Sequence, residues 1–403
     1  MTSDSITSRF SRLENGTPSL NIAQGVIAAM SFSILLAGTN ATTPMLPIYQ
    51  RVLHFSPLMM SMTFVAYVAI LISTLLFCSR QGVAKWSPLM LVSALLIAAL
   101  SDYFLATASE SWILVGRAIA GIAGGIGTGS AASLVVAALG AKGRSVSATG
   151  NLIGAVVGTA FAQYCIMRLG DAAMHWTFLI HGGVCLILAG CLVTVLALRA
   201  RTNRIQLADK PSSETVVWDV LKRNKIPMLV GSLGWMLISV AIVTLPAFFG
   251  ALNMQWIGSF GVIMLLIACA AGQLGSPWLS RVTPWMSGIL GMTVGSALIL
   301  VGGATLNSAV AAAGFIALGV GIGVSYRLSL VVITRGASPA QQGTLSSLYA
   351  AFTYAAAAAG VLVMGVTGNI IGLHQTVISI TVALMCALAM VAKRAPRLAH
   401  VSE

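Results

Sequence analysis

The sequence predicts an all-α membrane protein, with twelve transmembrane helices arranged as two six-helix, pseudo-symmetric bundles. Three observations carry that expectation. Continuously apolar stretches of about 20 residues recur along almost the whole chain. Basic residues are confined almost entirely to one set of the links between those stretches. The two halves of the chain also echo each other at equivalent places.

Apolar residues make up 58% of the 403-residue chain and charged residues 8%, and the mean hydropathy is +0.94. A water-soluble domain needs far more charge on its outside, so this chain buries its surface in lipid. About 20 residues at about 1.5 Å each cross the roughly 30 Å hydrocarbon core as a helix. In the first half the predicted spans are residues 20–44, 57–78, 86–107, 112–139, 147–167 and 176–198. In the second half they are 227–249, 256–277, 284–304, 308–334, 342–366 and 372–392. The runs are apolar throughout rather than alternating with period two, which excludes a β-barrel. Many of the 41 glycines fall inside spans, where helix backbones approach closely in lipid.

This divides the chain into an N-terminal tail (1–19), an N-terminal bundle (20–198), a linker (199–226), a C-terminal bundle (227–392) and a C-terminal tail (393–403). The linker holds seven basic and three acidic residues and a turn at Lys210-Pro211-Ser212-Ser213. Residues 215–224 within it fit a short helix lying on the membrane surface. Its expected role is that of a tether.

An even number of spans puts both termini on one side. Eighteen of the 22 Lys and Arg residues then lie on the terminal side, Arg51 and Arg168 on the other, and Arg117 and Arg327 within spans. The positive-inside rule makes both termini cytoplasmic, in a multi-pass protein of the cell (inner) membrane. The same distribution accounts for the net charge of +13. Charges scattered over short links do not form a nucleic-acid-binding patch, so no nucleic acid is expected as a partner. A polar stretch of about 19 residues precedes a first span longer than a signal-peptide core, which predicts an uncleaved anchor. The six cysteines lie in or at the edges of spans without metal-ligand spacing and are expected to be packing residues. No metal or cofactor is expected. The chain lacks a phosphate-cradling Gly-Lys-Ser/Thr loop and a credible nucleophile–base pair, so the expected function is not enzymatic.

Internal similarity suggests a duplicated architecture. Gly125-Ile126-Gly127, Ser133-Leu134-Val135-Val136 and Gly140 in span four match Gly321-Ile322-Gly323, Ser329-Leu330-Val331-Val332 and Gly336 in span ten at a constant offset of 196. Ser79-Arg80 after span two echoes Ser280-Arg281 after span eight. Duplicated halves around a midplane site are the architecture of an alternating-access transporter.

Span four carries the best local motif, Ile113, Arg117, Gly121 and Gly125. It resembles the intramembrane arginine motif of the major facilitator superfamily, and the resemblance extends over essentially the full length. In that family the arginine is associated with proton coupling, which makes Arg117 a candidate for that role. A structural ion pair is the other reading, because an ionisable residue at such depth is costly without a partner. Asp102 reaches a similar depth at the outer end of span three, so an Asp102–Arg117 pair is predicted and Asp102 is the second proton-coupling candidate.

Other stretches match the family less closely. Arg80, Gly82 and Lys85 resemble its cytoplasmic gating loop, with Ser79 where an acid is expected. Gly150, Gly154 and Gly158 in span five resemble the antiporter motif of its exporters, with Ala155 replacing a proline; the same spacing also serves plain helix packing. Residues 40–57, with Pro44, Pro47 and Pro57, resemble the outer end of span one in bacterial drug and metabolite exporters. Gly38 stands near the place of the acid that some of those exporters carry, which disfavours a cationic substrate. Arg327 either faces the cavity, attracting an anionic group, or reaches the inner interface. Asn40, Tyr67, Asn151, Gln163, Trp235, Gln273, Tyr326, Tyr349 and Tyr354 complete the candidate cavity set. His181 is expected to be peripheral rather than a proton relay.

The reading is a secondary active transporter with protons, a small organic molecule and the lipid bilayer as its partners, acting as a monomer. Proton-coupled efflux of a drug or secondary metabolite is the first expectation. Proton-driven import of an anionic metabolite is the alternative, and a non-transporting sensor the third.

Overall fold

The computed structural model describes residues 18–78, 86–139, 141–200, 222–335 and 339–401. Among them are twelve α-helices and no strand. The first six are α1 Pro18–Val52, α2 Pro57–Cys78, α3 Ser87–Ala106, α4 Glu110–Leu139, α5 Ala141–Leu169 and α6 Ala173–Ala200. The second six are α7 Lys225–Ala251, α8 Gln255–Val282, α9 Gly288–Ala304, α10 Ser308–Thr334, α11 Pro339–Ile371 and α12 Leu373–Val391. Ten segments are long and apolar enough to cross a membrane. One of these, Ile153–Leu198, contains parts of both α5 and α6 joined by the 3-10 turn Gly170–Ala172, and the shorter apolar helix is α9. Each predicted span therefore corresponds to one helix.

The helix ends depart from the expectation. The sequence predicts a first span ending at Pro44, whereas α1 continues to Val52 with Pro44 and Pro47 inside it. Each proline removes the donor for the carbonyl four residues back, at Asn40 and Thr43. Inside a bundle, neighbouring groups can satisfy such carbonyls, so the helix continues. α5 and α11 also outrun their predicted spans. Hydropathy locates the edge of the hydrocarbon, while hydrogen bonding decides where a helix stops. The predicted gating loop (Arg80, Gly82, Lys85) and nearly all of the linker, including most of its surface helix, lie outside the described residues.

Helix contacts repeat with a period of six helices. In the first half α1 packs on α4, α5 and α6, α4 on α2 and α3, and α3 on α6. In the second half α7 packs on α10, α11 and α12, α10 on α8 and α9, and α9 on α12. The halves meet where α2 touches α11, where α5 touches α8, and where α1 touches α7. The first two seams exchange under the same six-helix shift, as a pseudo-two-fold axis requires.

The links away from the termini repeat as well. Each turns on one residue with left-handed backbone: His54, Ala108 and Gly170 in the first half, Asn253, Leu306 and Gly372 in the second. Such a residue ends a helix and reverses the chain within a few positions. On the terminal side, the chain beyond α12 folds back. The Leu398 and Ala399 N–H groups donate to the Met286 and Pro284 carbonyls at 2.9 Å each, in the α8–α9 link. Leu398 is buried with Val324 and Leu328 of α10.

Two seams fix the shape around the site. A Cβ on Gly154 would lie 2.4 Å from the Ser33 carbonyl oxygen, and one on Gly158 2.0 Å from that of Ala37. Glycine at these positions thus lets the α5 backbone lie directly on α1. Gly150 falls in a stretch whose side-chain surroundings lie outside the described residues. On the side away from the termini, Val243 of α7 and Val361 of α11 join the buried cluster of Met45, Tyr49, Phe55 and Met60 from the first half. There the Leu58 N–H donates to Asn369 Oδ1 at 3.1 Å, supplying a partner for one of the first-turn donors of α2.

Candidate functional site: a central cavity and a buried charge cluster

A cavity of about 470 Å³ lies between the halves, within the size range of small-molecule sites. Its wall combines α1, α2, α4 and α5 with α7, α8, α10 and α11. Leu75 and Leu330 in the lining sit about one turn from the terminal-side ends of α2 and α10. The cavity thus extends toward the terminal side, and the valine-bearing cluster closes the opposite side.

Six of the expected cavity residues line it: Asn40, Tyr67, Trp235, Gln273, Tyr326 and Tyr354. The second half contributes an aromatic wall. Trp235 stands 4.6 Å from Tyr354 and 5.8 Å from Tyr326 between ring centroids, and Tyr326 stands 5.1 Å from Tyr349. Tyr349 is fully buried behind this wall, its hydroxyl donating to the Tyr326 carbonyl at 3.5 Å. Gln163 is buried away from the lining, and the Asn151 side chain lies outside the described residues. Arg327 does not line the cavity. It is half-buried, and its Nη1 donates to the Gln273 carbonyl at 2.9 Å, tying α10 to α8. The geometry thus shows a helix-to-helix tie, which is neither the cavity-facing charge nor the interface-reaching arginine expected from the sequence.

Arg117 is the one charged residue among the described lining residues, and it is buried. Its Nε donates to the Thr63 carbonyl at 2.9 Å; its Nη1 donates to the Thr39 carbonyl at 2.8 Å and to Thr42 Oγ1 at 3.3 Å. The guanidinium lies 4.6 Å over the Tyr67 ring, a cation–π contact. The arginine thus joins α4 to α1 and α2 through neutral acceptors. No carboxylate among the described residues pairs with it.

The predicted Asp102–Arg117 pair is therefore not made. Asp102 turns to α6, where its Oδ2 lies 2.7 Å from His181 Nδ1. Neither side chain is more than 6% exposed. Equal depth was the basis of the prediction, but Asp102 and Arg117 point to different neighbours of their helices. The expectation that His181 is peripheral is corrected in the same way: α6 lies at the side of the bundle, yet this residue points inward. His181 Nε2 lies 2.8 Å from the Ile34 carbonyl of α1. The ring fits because residue 38 has no side chain; a Cβ on Gly38 would lie 2.3 Å from His181 Cε1. One sequence signal was available, a histidine within an otherwise apolar span.

Cys185 joins Asp102 and His181 in a group whose ligand atoms lie within 4.8 Å of one another. Both imidazole nitrogens already face hydrogen-bond partners. No lone pair is left for a metal unless one of those bonds breaks, so the group does not fit a metal site as it stands.

Among the described residues the lining offers no carboxylate for a cation, one guanidinium for an anion, and an aromatic wall for a flat apolar body. The carbonyls of Asn40 and Thr43, deprived of their usual donors by Pro44 and Pro47, belong to lining residues and are candidate acceptors for a ligand N–H or O–H.

The Major Facilitator Superfamily profile matches residues 27–361. No curated protein matches the chain. Among solved structures, the fold is similar to that of a bacterial homologue of the human lysosomal transporter Spinster, in an inward-facing, unoccupied conformation. The TM-score is 0.75 at 13% identity, covering 93% of this chain and 97% of that one. The nucleoside transporter NupG matches with TM-score 0.65 at 14% identity, covering 93% and 99% of the two chains. The D-xylose-proton symporter matches with TM-score 0.69 at 12% identity, covering 94% and 99%. The profile match over most of the chain, on a fold of two matched six-helix halves, places this protein in the Major Facilitator Superfamily of membrane transporters.

Proposed function

We propose that the protein is a proton-coupled exporter of a neutral or anionic, aromatic small molecule, working by alternating access. The observation that carries this reading is the cavity itself, between the halves, with an aromatic wall on one side and Arg117 on the other. The moving bodies are the bundles 20–198 and 227–392, with the linker as a tether. Eighteen basic residues on the terminal side support a cytoplasmic location for both termini, so this conformation presents its cavity to the cytoplasm. Arg117 and Asp102 remain the residues proposed for proton coupling.

A second reading, proton-driven import of an anionic metabolite, is favoured by the lack, among the described residues, of a carboxylate opposite Arg117. It also has relatives in kind, since one structural neighbour is a sugar-proton symporter.

Flux in oriented vesicles separates the two. Everted vesicles with an acidic, positive interior would receive labelled chloramphenicol (neutral), nalidixate (anionic) or tetraphenylphosphonium (cationic). Export predicts protonophore-sensitive accumulation of a neutral or anionic probe and exclusion of the cation. Uptake confined to right-side-out vesicles would replace export with import, and gradient-driven flux of the cation alone would overturn the substrate class. Trp235→Ala is expected to raise the half-saturating concentration of an aromatic probe about tenfold, because one ring contact and its buried area are lost. Initial rates against probe concentration check it.

A further inference from the structure

We propose that Asp102 and His181 together form the proton-binding site of this transporter, exchanging with the central cavity past Thr39. The inference deepens the proton-coupled reading and takes its functional meaning from it. It replaces a lone carboxylate with a two-residue site on α3 and α6 that is clamped by α1.

The proton count follows from the hydrogen bonds. A carbonyl oxygen only accepts, so the 2.8 Å contact to Ile34 requires a hydrogen on His181 Nε2. The 2.7 Å contact between His181 Nδ1 and Asp102 Oδ2 requires a second hydrogen, on one atom or the other. Two lone pairs facing each other at that distance would repel. In this conformation the pair holds one exchangeable proton and is neutral overall, as imidazolium–carboxylate or as imidazole–carboxylic acid. Releasing that proton to water leaves a net charge of −1 in a buried site, which is costly without a counter-charge.

Among the described residues, few other groups face the pair. On α6, Cys185 Sγ lies 3.9 Å from each ring nitrogen. α1 presents the Ile34 carbonyl and Gly38. On α4, Arg117 is turned into its threonine cage. His175, also on α6, bonds the Ala106 carbonyl. No Lys or Arg among the described residues pairs with Asp102.

A route to water is present. A void of about 10 Å³ lies beside the pair, lined by Asp102, His181, Ser101 and Thr39 among others; that is close to the room one water needs. Thr39 also lines the central cavity, so it forms the wall between the two spaces. The Thr39 carbonyl holds Arg117, and the Ile34 carbonyl, five residues earlier on α1, holds His181. A shift of α1 against α3 and α6 would therefore loosen the clamp on the imidazole and disturb the cavity arginine together. Coupling in this arrangement consists of proton release to water when α1 moves and rebinding when it returns.

The test does not need the transported substrate. Difference infrared spectra of the full-length protein in liposomes would be recorded between pH of about 5 and 9, which brackets ordinary histidine titration. Wild type is expected to show a buried carboxyl–imidazole component that Asp102→Asn removes. His181→Gln and Gly38→Ala should remove or displace the same component, Gly38→Ala by pushing the ring away without deleting a titrating group. Absence of any Asp102-dependent component, or its persistence unchanged in both His181→Gln and Gly38→Ala, overturns the proposal. Gly38→Ala keeps the test open if His181→Gln fails to fold, and elution as a single species checks each variant. If the component is present while wild-type flux ignores the pH gradient, the coupled-transport reading fails and the proton site stands.

Discussion

Arg117→Ala is expected to lower the initial rate of gradient-driven transport at least a hundredfold in proteoliposomes while leaving the protein folded. The side chain bonds the Thr63 and Thr39 carbonyls and stacks over Tyr67, so it holds three helices around the closed end of the cavity, farthest from the termini. Those carbonyls belong to regular helices, so losing the arginine does not strip α1 or α2 of their own hydrogen bonds. What disappears is the cavity's positive charge and the tie that relates α4 to α1. Arg117→Lys should recover only part of the rate, since an ammonium keeps the charge but not the planar fork that reaches two carbonyls on different helices. A hundredfold loss in rate corresponds to about 2.7 kcal/mol, within reach of a buried charged group with several partners. Wild-type rates in Arg117→Ala would make the residue purely architectural.

Gly365→Val is expected to push the conformational equilibrium toward opening on the side away from the termini. A Cβ at this position would lie 2.4 Å from Ser61 Oγ, 2.6 Å from Ser61 Cβ and 3.1 Å from the α2 backbone at Leu58 Cα. Rotating Ser61 does not relieve a contact with its own Cβ, so α2 and α11 have to separate. The Asn369–Leu58 hydrogen bond lies along the same seam and would be lost with it. Closure on the terminal side is unaffected by the substitution, so the open-outward arrangement becomes the favoured one. A thiol reagent applied from the far side should label a cysteine introduced by Thr43→Cys about tenfold faster in the Gly365→Val background, a shift of about 1.4 kcal/mol between the two conformations. Unchanged labelling would mean that α2 and α11 are not a moving seam.

The twelve helices were legible because a lipid-spanning segment has to be apolar all round and about 20 residues long, and nothing else in a chain looks like that. The end of α1 was not. Hydropathy and the prolines at 44 and 47 both argued for a stop, and only the surrounding bundle lets the helix pass them. The internal match at an offset of 196 pointed to the right helices but not to equivalent contacts. A Cβ on Gly125 would meet Thr74 of α2, whereas one on Gly321 would meet Met292 of α9. Shared letters can arise from a shared demand for small residues without preserving which face they serve. Arg117 was legible through its motif and placed correctly in depth. Its partner was not, because depth fixes one coordinate of a residue on a helix and rotation fixes the other. Rotation turns Asp102 toward α6, and no count along the chain carries that information. The aromatic wall was half legible: Trp235, Tyr326 and Tyr354 line the cavity, while Tyr349 of α11, its ring 5.1 Å from that of Tyr326, supports it from behind.

The imidazole of His181 occupies space that any side chain at residue 38 would claim. Positions 38, 102 and 181 are therefore not free to drift separately during evolution. A lineage that gains even a methyl group at the first loses room for the ring at the third, and the aspartate between α3 and α6 is then stranded in an apolar setting. Substitution at any one of the three creates pressure on the other two, so the glycine, the acid and the histidine are expected to be inherited as a set or exchanged as one.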